Sequence, residues 1–155
     1  MKGQFIFEFL IAGLIFFTIV LYTISYLNMN VSDFRGKFYQ SRLQSKAVQI
    51  SKVLMSGESP LGLVDDSEFS QVKIQNFNNT YCTLGEKYKN LVDYLYLYEK
   101  TVHGFFPNDI KIHLSKPGET LLDCGPMIPM GITKGDVGRV GIFEGETVKL
   151  NIVVW

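Results

Sequence analysis

The 155-residue sequence has no net charge, because 15 basic residues balance 15 acidic ones. That balance argues against the broad basic face with which a protein neutralises phosphates, so no nucleic-acid partner is expected. Cysteine is scarce: Cys82 and Cys124 are the only two, and neither belongs to a Cys-x-x-Cys pair. Histidine is limited to His103 and His113, which stand alone, so metal-ligand spacing is missing and neither a metal nor another cofactor is expected. No serine–histidine–aspartate or cysteine–histidine pattern has local context, which leaves no catalytic residue to name and no support for an exported enzyme. Gly131, Gly135, Gly138 and Gly141 are closely spaced, but Ile132-Thr133-Lys134 does not make a phosphate loop and no helix is expected to follow. They read as turn glycines. Internal repeats and low-complexity segments are absent too.

What the sequence does contain in quantity is apolar and aromatic surface, including 12 Phe and 8 Tyr. From Phe9 to Leu27 there is no charged residue, and the polar side chains are Thr18, Thr23 and Ser25 with the amphipathic Tyr22 and Tyr26. At roughly 1.5 Å per residue, that run is long enough to cross a bilayer core as a helix. A cleaved secretory signal fits less well, because the run is longer than such a core and passes into polar helix without a small-residue cleavage site. A plain signal anchor matches the hydropathy equally. It leaves Glu8 unexplained, a carboxylate just inside the apolar segment, where unpaired charge is costly and usually marks function. A structural alternative places Glu8 at the headgroup level beside Lys2.

Gly3-Gln4 followed by Glu8 and Phe9 resembles the class III signal sequence of archaeal type IV pilin-like proteins. Ile6 stands where many members have serine. The resemblance implies a cut between Gly3 and Gln4 by a prepilin peptidase on the cytoplasmic side, with Lys2 holding the start inside. Glu8 would then be the fifth residue of the mature chain, one helical turn beyond a new amine on Gln4. It would pair with that amine or with the amine of a neighbouring subunit, acting as a register device more than as a source of stability. The implied partners are the peptidase, other pilin subunits, the assembly platform and, before assembly, membrane lipid. The implied location is the cytoplasmic membrane with the head outside the cell, then a surface filament. Ala12 and Gly13 would let packed helices approach closely.

With Lys2 inside, both cysteines lie outside, where an even pair suggests a Cys82–Cys124 disulfide. Two buried free thiols are the alternative. Asn78-Asn79-Thr80 and Asn30-Val31-Ser32 are N-glycosylation acceptors, with Asn78 favoured because Asn76–Thr80 reads as a polar turn.

The rest of the chain reads as α+β. Leu27, Val31, Phe34 and Phe38, then Leu43, Ala47, Ile50 and Leu54, continue the first helix as an amphipathic stretch from 28 to about Ser56-Gly57, with Gly36 its weak point. A hinge near residues 28–32 is the alternative. Residues 58–155 are expected to form the head domain, beginning with a loop at 59–67 that includes the solvated turn Asp65-Asp66. Near-alternation around Val72 and Ile74 predicts a strand over 68–77. Leu84, Tyr88, Leu91, Leu95, Tyr98 and Val102 predict an amphipathic helix of about 17 residues ending at Gly104. Strands follow at 109–114 and 120–124 around a turn at Lys116–Glu119, and 127–136 reads as a loop. A second hairpin pairs 138–143 with 147–155, with Val148, Leu150, Ile152 and Val154 on one face. The Arg139-Val140 strand and the closing Val153-Val154-Trp155 also look like small pilin-like proteins of the same group.

Two functions stand. One is a structural pilin-like subunit, of the minor kind by analogy with its elaborate head. The other is a permanently anchored outer-surface binding domain that is neither processed nor polymerised.

Overall fold

The computed structural model describes residues 2–83, 85–101 and 104–155; the side chains at 2–6, 32–33, 98–101 and 104–106 fall outside the description. The chain divides into two compact units, Met1–Tyr39 and Gln40–Trp155. The architecture is α+β, with a long N-terminal helix followed by antiparallel sheet and short helices.

Helix α1 runs over Lys2–Leu54, and Gly36 does not interrupt it. In the second unit its stripe Leu43, Ala47, Ile50 and Leu54 is buried, at the positions the four-three-four spacing predicts. Two short strands, β1 (Val64–Asp65) and β2 (Glu68–Phe69), pair through a turn in which Asp66 and Ser67 both have positive φ.

The expected strand over 68–77 is corrected here. Only Glu68–Phe69 is extended, and α2 takes Gln71–Tyr81. Ile74 and Phe77 are buried one helical turn apart, the Phe77 and Tyr81 rings sit 5.3 Å apart, and Val72 points to solvent. The alternation that suggested a strand therefore came from a residue outside the core. The Asn76–Thr80 turn is likewise helix.

The expected 17-residue helix is also corrected, although its Leu84 and Val102 ends lie outside the described residues. Helix α3 covers only Glu86–Tyr94, and β3 (Tyr98–Thr101) pairs with β4 (Gly104–Pro107) beyond it. The helix stops in a Schellman motif: Tyr96 has φ 50°, its N–H donates to Asp93 O at 3.1 Å, and the Leu97 N–H donates to Val92 O at 3.1 Å. Leu97 and Val92 are both buried, which supplies the apolar contact that accompanies this motif. A tyrosine in the left-handed position carries no stop signal of the glycine kind, so the apolar spacing runs past the true end.

The four-stranded sheet has the order β6-β5-β8-β7, all antiparallel, with β5 Ile110–Lys116, β6 Glu119–Cys124, β7 Gly135–Phe143 and β8 Glu146–Val154. Its inner face carries Ile110, Ile112, Leu114, Val148, Leu150, Ile152 and Val154, all buried. The β7–β8 turn has φ 51° at Glu144 and 79° at Gly145, the two positive values a type I′ hairpin requires. Trp155 extends β8, exchanging backbone hydrogen bonds with Asp109 at 2.9 and 3.1 Å.

Helix α1 meets the sheet at β7. A Cβ on Gly135 would collide with the backbone of Leu43 and Gln44, so only glycine allows strand and helix to come this close. Arg139 Nε donates to Ser51 Oγ at 3.2 Å farther along.

Candidate membrane and assembly surface

Between Phe7 and Val31 the large apolar side chains of α1 other than half-buried Val20 are exposed, from 45% at Ile11 to 74% at Phe9. This one helix is long and apolar enough to cross a membrane, and its most apolar window has no residue buried within the chain. Such a surface needs a cover of lipid or other apolar helices, since each exposed leucine or phenylalanine leaves about 1.5–3 kcal/mol of transfer free energy unrealised in water.

Thr18 and Thr23 within the run, and Asn30 just beyond it, are accommodated locally. Thr18 Oγ1 donates to Leu14 O and Thr23 Oγ1 to Ile19 O, each at 2.8 Å, and Asn30 Nδ2 donates to Tyr26 O at 2.9 Å. Each bond reaches back one turn to a helix carbonyl, so the group satisfies itself without water or a partner chain. Tyr22 and Tyr26 stack with ring centroids 6.3 Å apart at the end of the run, where amphipathic aromatics suit a headgroup boundary. Glu8 is exposed on the same helix. Gly3 and Gln4 fall in its first turn, where side chains lie outside the description. A Cβ on Gly13 would meet nothing within 4 Å, so that position is open for close approach.

In the second unit Cys82 and Cys124 form a disulfide that ties the end of α2 to the last residue of β6 across 42 residues of sequence. Asn78 is exposed on α2, and not in a loop as expected; Asn30 is exposed on α1. The Asp65-Asp66 turn closes the β1–β2 hairpin. Lys73 Nζ donates to Gly57 O at 3.0 Å and Val64 O at 2.8 Å, and lies 3.5 Å from Asp65, so its charge serves to close the loop after α1.

The outer sheet face brings together a charged group around Asp123. Lys111 Nζ lies 2.9 Å from the Asp123 carboxylate, and His113 Nδ1 lies 3.4 Å from it. Partial burial pushes the Asp123 carboxyl up, but the hydrogen bond and charge of Lys111, with those of His113, outweigh it and hold the group below the usual carboxylate range. His103 lies outside the described residues. Among those described, no cluster of three or more His, Cys, Asp or Glu side chains is arranged to hold a metal ion.

The sequence reading missed the threonine back-bonds of α1 and the contact between α1 and β7. The first was open to a reader who asked where Thr18 and Thr23 find acceptors inside an apolar helix. The second joins positions 92 residues apart and carries no local signal. Comparison with protein-family models, with curated proteins and with solved structures returned no match to this chain.

Proposed function

We propose that the chain is a structural subunit, of the minor pilin kind, of a type IV pilus-like surface filament. It enters the membrane through α1 as a prepilin, is cut between Gly3 and Gln4 by a prepilin peptidase, and assembles through the apolar helix with the head outside the cell. The observation that carries this reading is the uncovered apolar surface of α1, in which Thr18 and Thr23 bond back to the helix and Glu8 stands near the start. A plain anchor would use the apolar surface but has no use for Glu8. In a processed chain, Gln4 and Glu8 are one turn apart on one helix face, so the new amine and the carboxylate would neutralise each other or pair between subunits.

The test is the mass of the intact chain isolated from its own cell envelope. A start at Gln4 is expected. A chain retaining Met1 or Lys2 would overturn the reading and leave a permanently anchored surface domain. Glu8→Ala supplies a second readout: filament incorporation should be lost while membrane retention stays unchanged. Equal incorporation of variant and parent would remove Glu8 from the mechanism.

A further inference from the structure

The two edges of the four-stranded sheet differ. The β6 edge is protected by Glu119 and Asp123, by a register shift in its pairing with β5 at Leu114/Ser115, and by the disulfide that holds α2 beside it. Strand β7, at the opposite edge, pairs with β8 in unbroken register over nine residues and contains no proline, lysine or bulge. It carries Asp136 and Arg139, and β2 lies beside it with Phe69 against Gly141, but no proline or bulge breaks its middle to discourage strand addition.

Register settles which backbone groups point outward. Asp109 and Trp155 exchange hydrogen bonds, so the odd-numbered residues of β8 bond to β5 and the even-numbered ones to β7. Their β7 partners are Gly135, Val137, Arg139, Gly141 and Phe143. The N–H and C=O groups of Asp136, Gly138, Val140 and Ile142 therefore face away from the sheet. Gln44 occupies Asp136, its amide bonding to both the N–H and the C=O as a neighbouring strand would. Gly138, Val140 and Ile142 have no partner for these groups among the described residues. The free edge is thus the five residues Gly138-Arg139-Val140-Gly141-Ile142, with Val140 67% and Ile142 46% exposed.

We infer that this edge pairs with the same edge of a second copy, antiparallel, about a two-fold axis at Val140. That register sets Val140 against Val140, Gly138 against Ile142 and Arg139 against Gly141, so Ile142 and Arg139 each meet a glycine and the two valines meet each other. All three outward N–H groups and all three outward C=O groups of each copy find partners. One step farther, Asp136 would face Glu144 with like charge, and Asp136 is already taken by Gln44; pairing ends where the complementarity ends. A five-residue strand pair buries less than a standard stable interface, so it is weak between free molecules and grows with the local density of copies in a membrane or filament. It does not depend on processing at Gly3.

The test follows amide exchange in the full chain held in detergent micelles, at low and high ratios of protein to micelle. The amides of Gly138, Val140 and Ile142 are expected to exchange about tenfold more slowly at the high ratio. Val140→Pro removes an outward N–H without touching the β8 ladder, so it should abolish the slowing at Gly138 and Ile142 while Leu150 and Ile152 stay protected. Val140→Cys adds an independent readout: under mild oxidation it should give far more covalent dimer than Lys149→Cys on the neighbouring strand. Equal exchange at both ratios overturns the proposal. So does slowing that survives Val140→Pro with β8 intact, or protection that does not depend on the ratio, the sign of a different occupant.

Discussion

The side-chain amide of Gln44 on α1 bonds to both backbone groups of Asp136 on β7, accepting from its N–H at 3.0 Å and donating to its C=O at 2.6 Å. A helix side chain here takes the place of a strand. With Gly135 packed on the backbone of Leu43 and Gln44, it ties the first helix to the sheet edge. Gln44→Leu should cost about 1–2 kcal/mol, two net hydrogen bonds at a partly solvated site, read from denaturant melts. Gly135→Val should cost more, because its side chain would have to enter the α1 backbone. If the two variants cost the same small amount, this contact does not hold helix and strand together.

Tyr88 plays the equivalent part at the same end of the sheet on its opposite side. Its hydroxyl accepts from the Ile110 N–H at 2.9 Å and lies 3.2 Å from Asp109 Oδ1 and from Ile110 O, so it serves β5 beyond the last β6 pair. Tyr88→Phe leaves the buried Ile110 N–H without an acceptor and should cost about 1–3 kcal/mol. Burial pushes the Tyr88 hydroxyl well above its ordinary value of 10.0, outweighing the hydrogen bond with Ile110, and neighbouring Asp109 pushes the same way. The sign follows from proton binding: the folded state keeps this proton where the unfolded chain gives it up. The stabilisation is therefore complete below pH 10 and falls as the pH rises beyond it. Melts of parent and Tyr88→Phe above pH 10 should converge.

The Cys82–Cys124 disulfide closes a 42-residue separation. On the chain-entropy account such a loop contributes about 4 kcal/mol. Replacing both cysteines with serine should lower stability by an amount of that order. Amide exchange should quicken first in α2, which the bond fastens to β6. A loss confined to α1 would contradict this assignment.

Asp123 predicts an acid response. Its folded carboxyl is held below the ordinary range, so the unfolded chain binds the proton more readily. Its contribution is present above the unfolded value of about 3.9 and is lost as the pH falls through the lower folded value. The side chain is 52% exposed, so screening limits the effect to at most about 1 kcal/mol. Asp123→Asn should remove that part of the acid dependence and leave the alkaline limb unchanged, in melts taken between pH 2 and 6.

Several elements are legible in the residues because their signals are local. The C-terminal hairpin shows itself through alternation at Val148, Leu150, Ile152 and Val154 and through Glu144-Gly145, and every one of those four side chains is buried. The stripe Leu43, Ala47, Ile50 and Leu54 announces the buried face of α1 by period alone. Val72 misled because a single exposed apolar residue mimics alternation when the helical pair Ile74 and Phe77 is only one turn long. Tyr96 misled because the backbone turned left-handed at a residue type that rarely marks a helix end.

The sequence by itself determined the uncharged apolar run, the α+β plan and the residue types available for a disulfide, because composition and short periods act over neighbours in the chain. Tertiary structure alone decided that residues 71–81 are helix, that Cys82 reaches Cys124, that Gln44 caps Asp136 and that the free edge of β7 is limited to Gly138–Ile142. Those outcomes depend on which surfaces remain to be covered and which backbone groups remain to be paired once the elements are packed, and no local window contains that information.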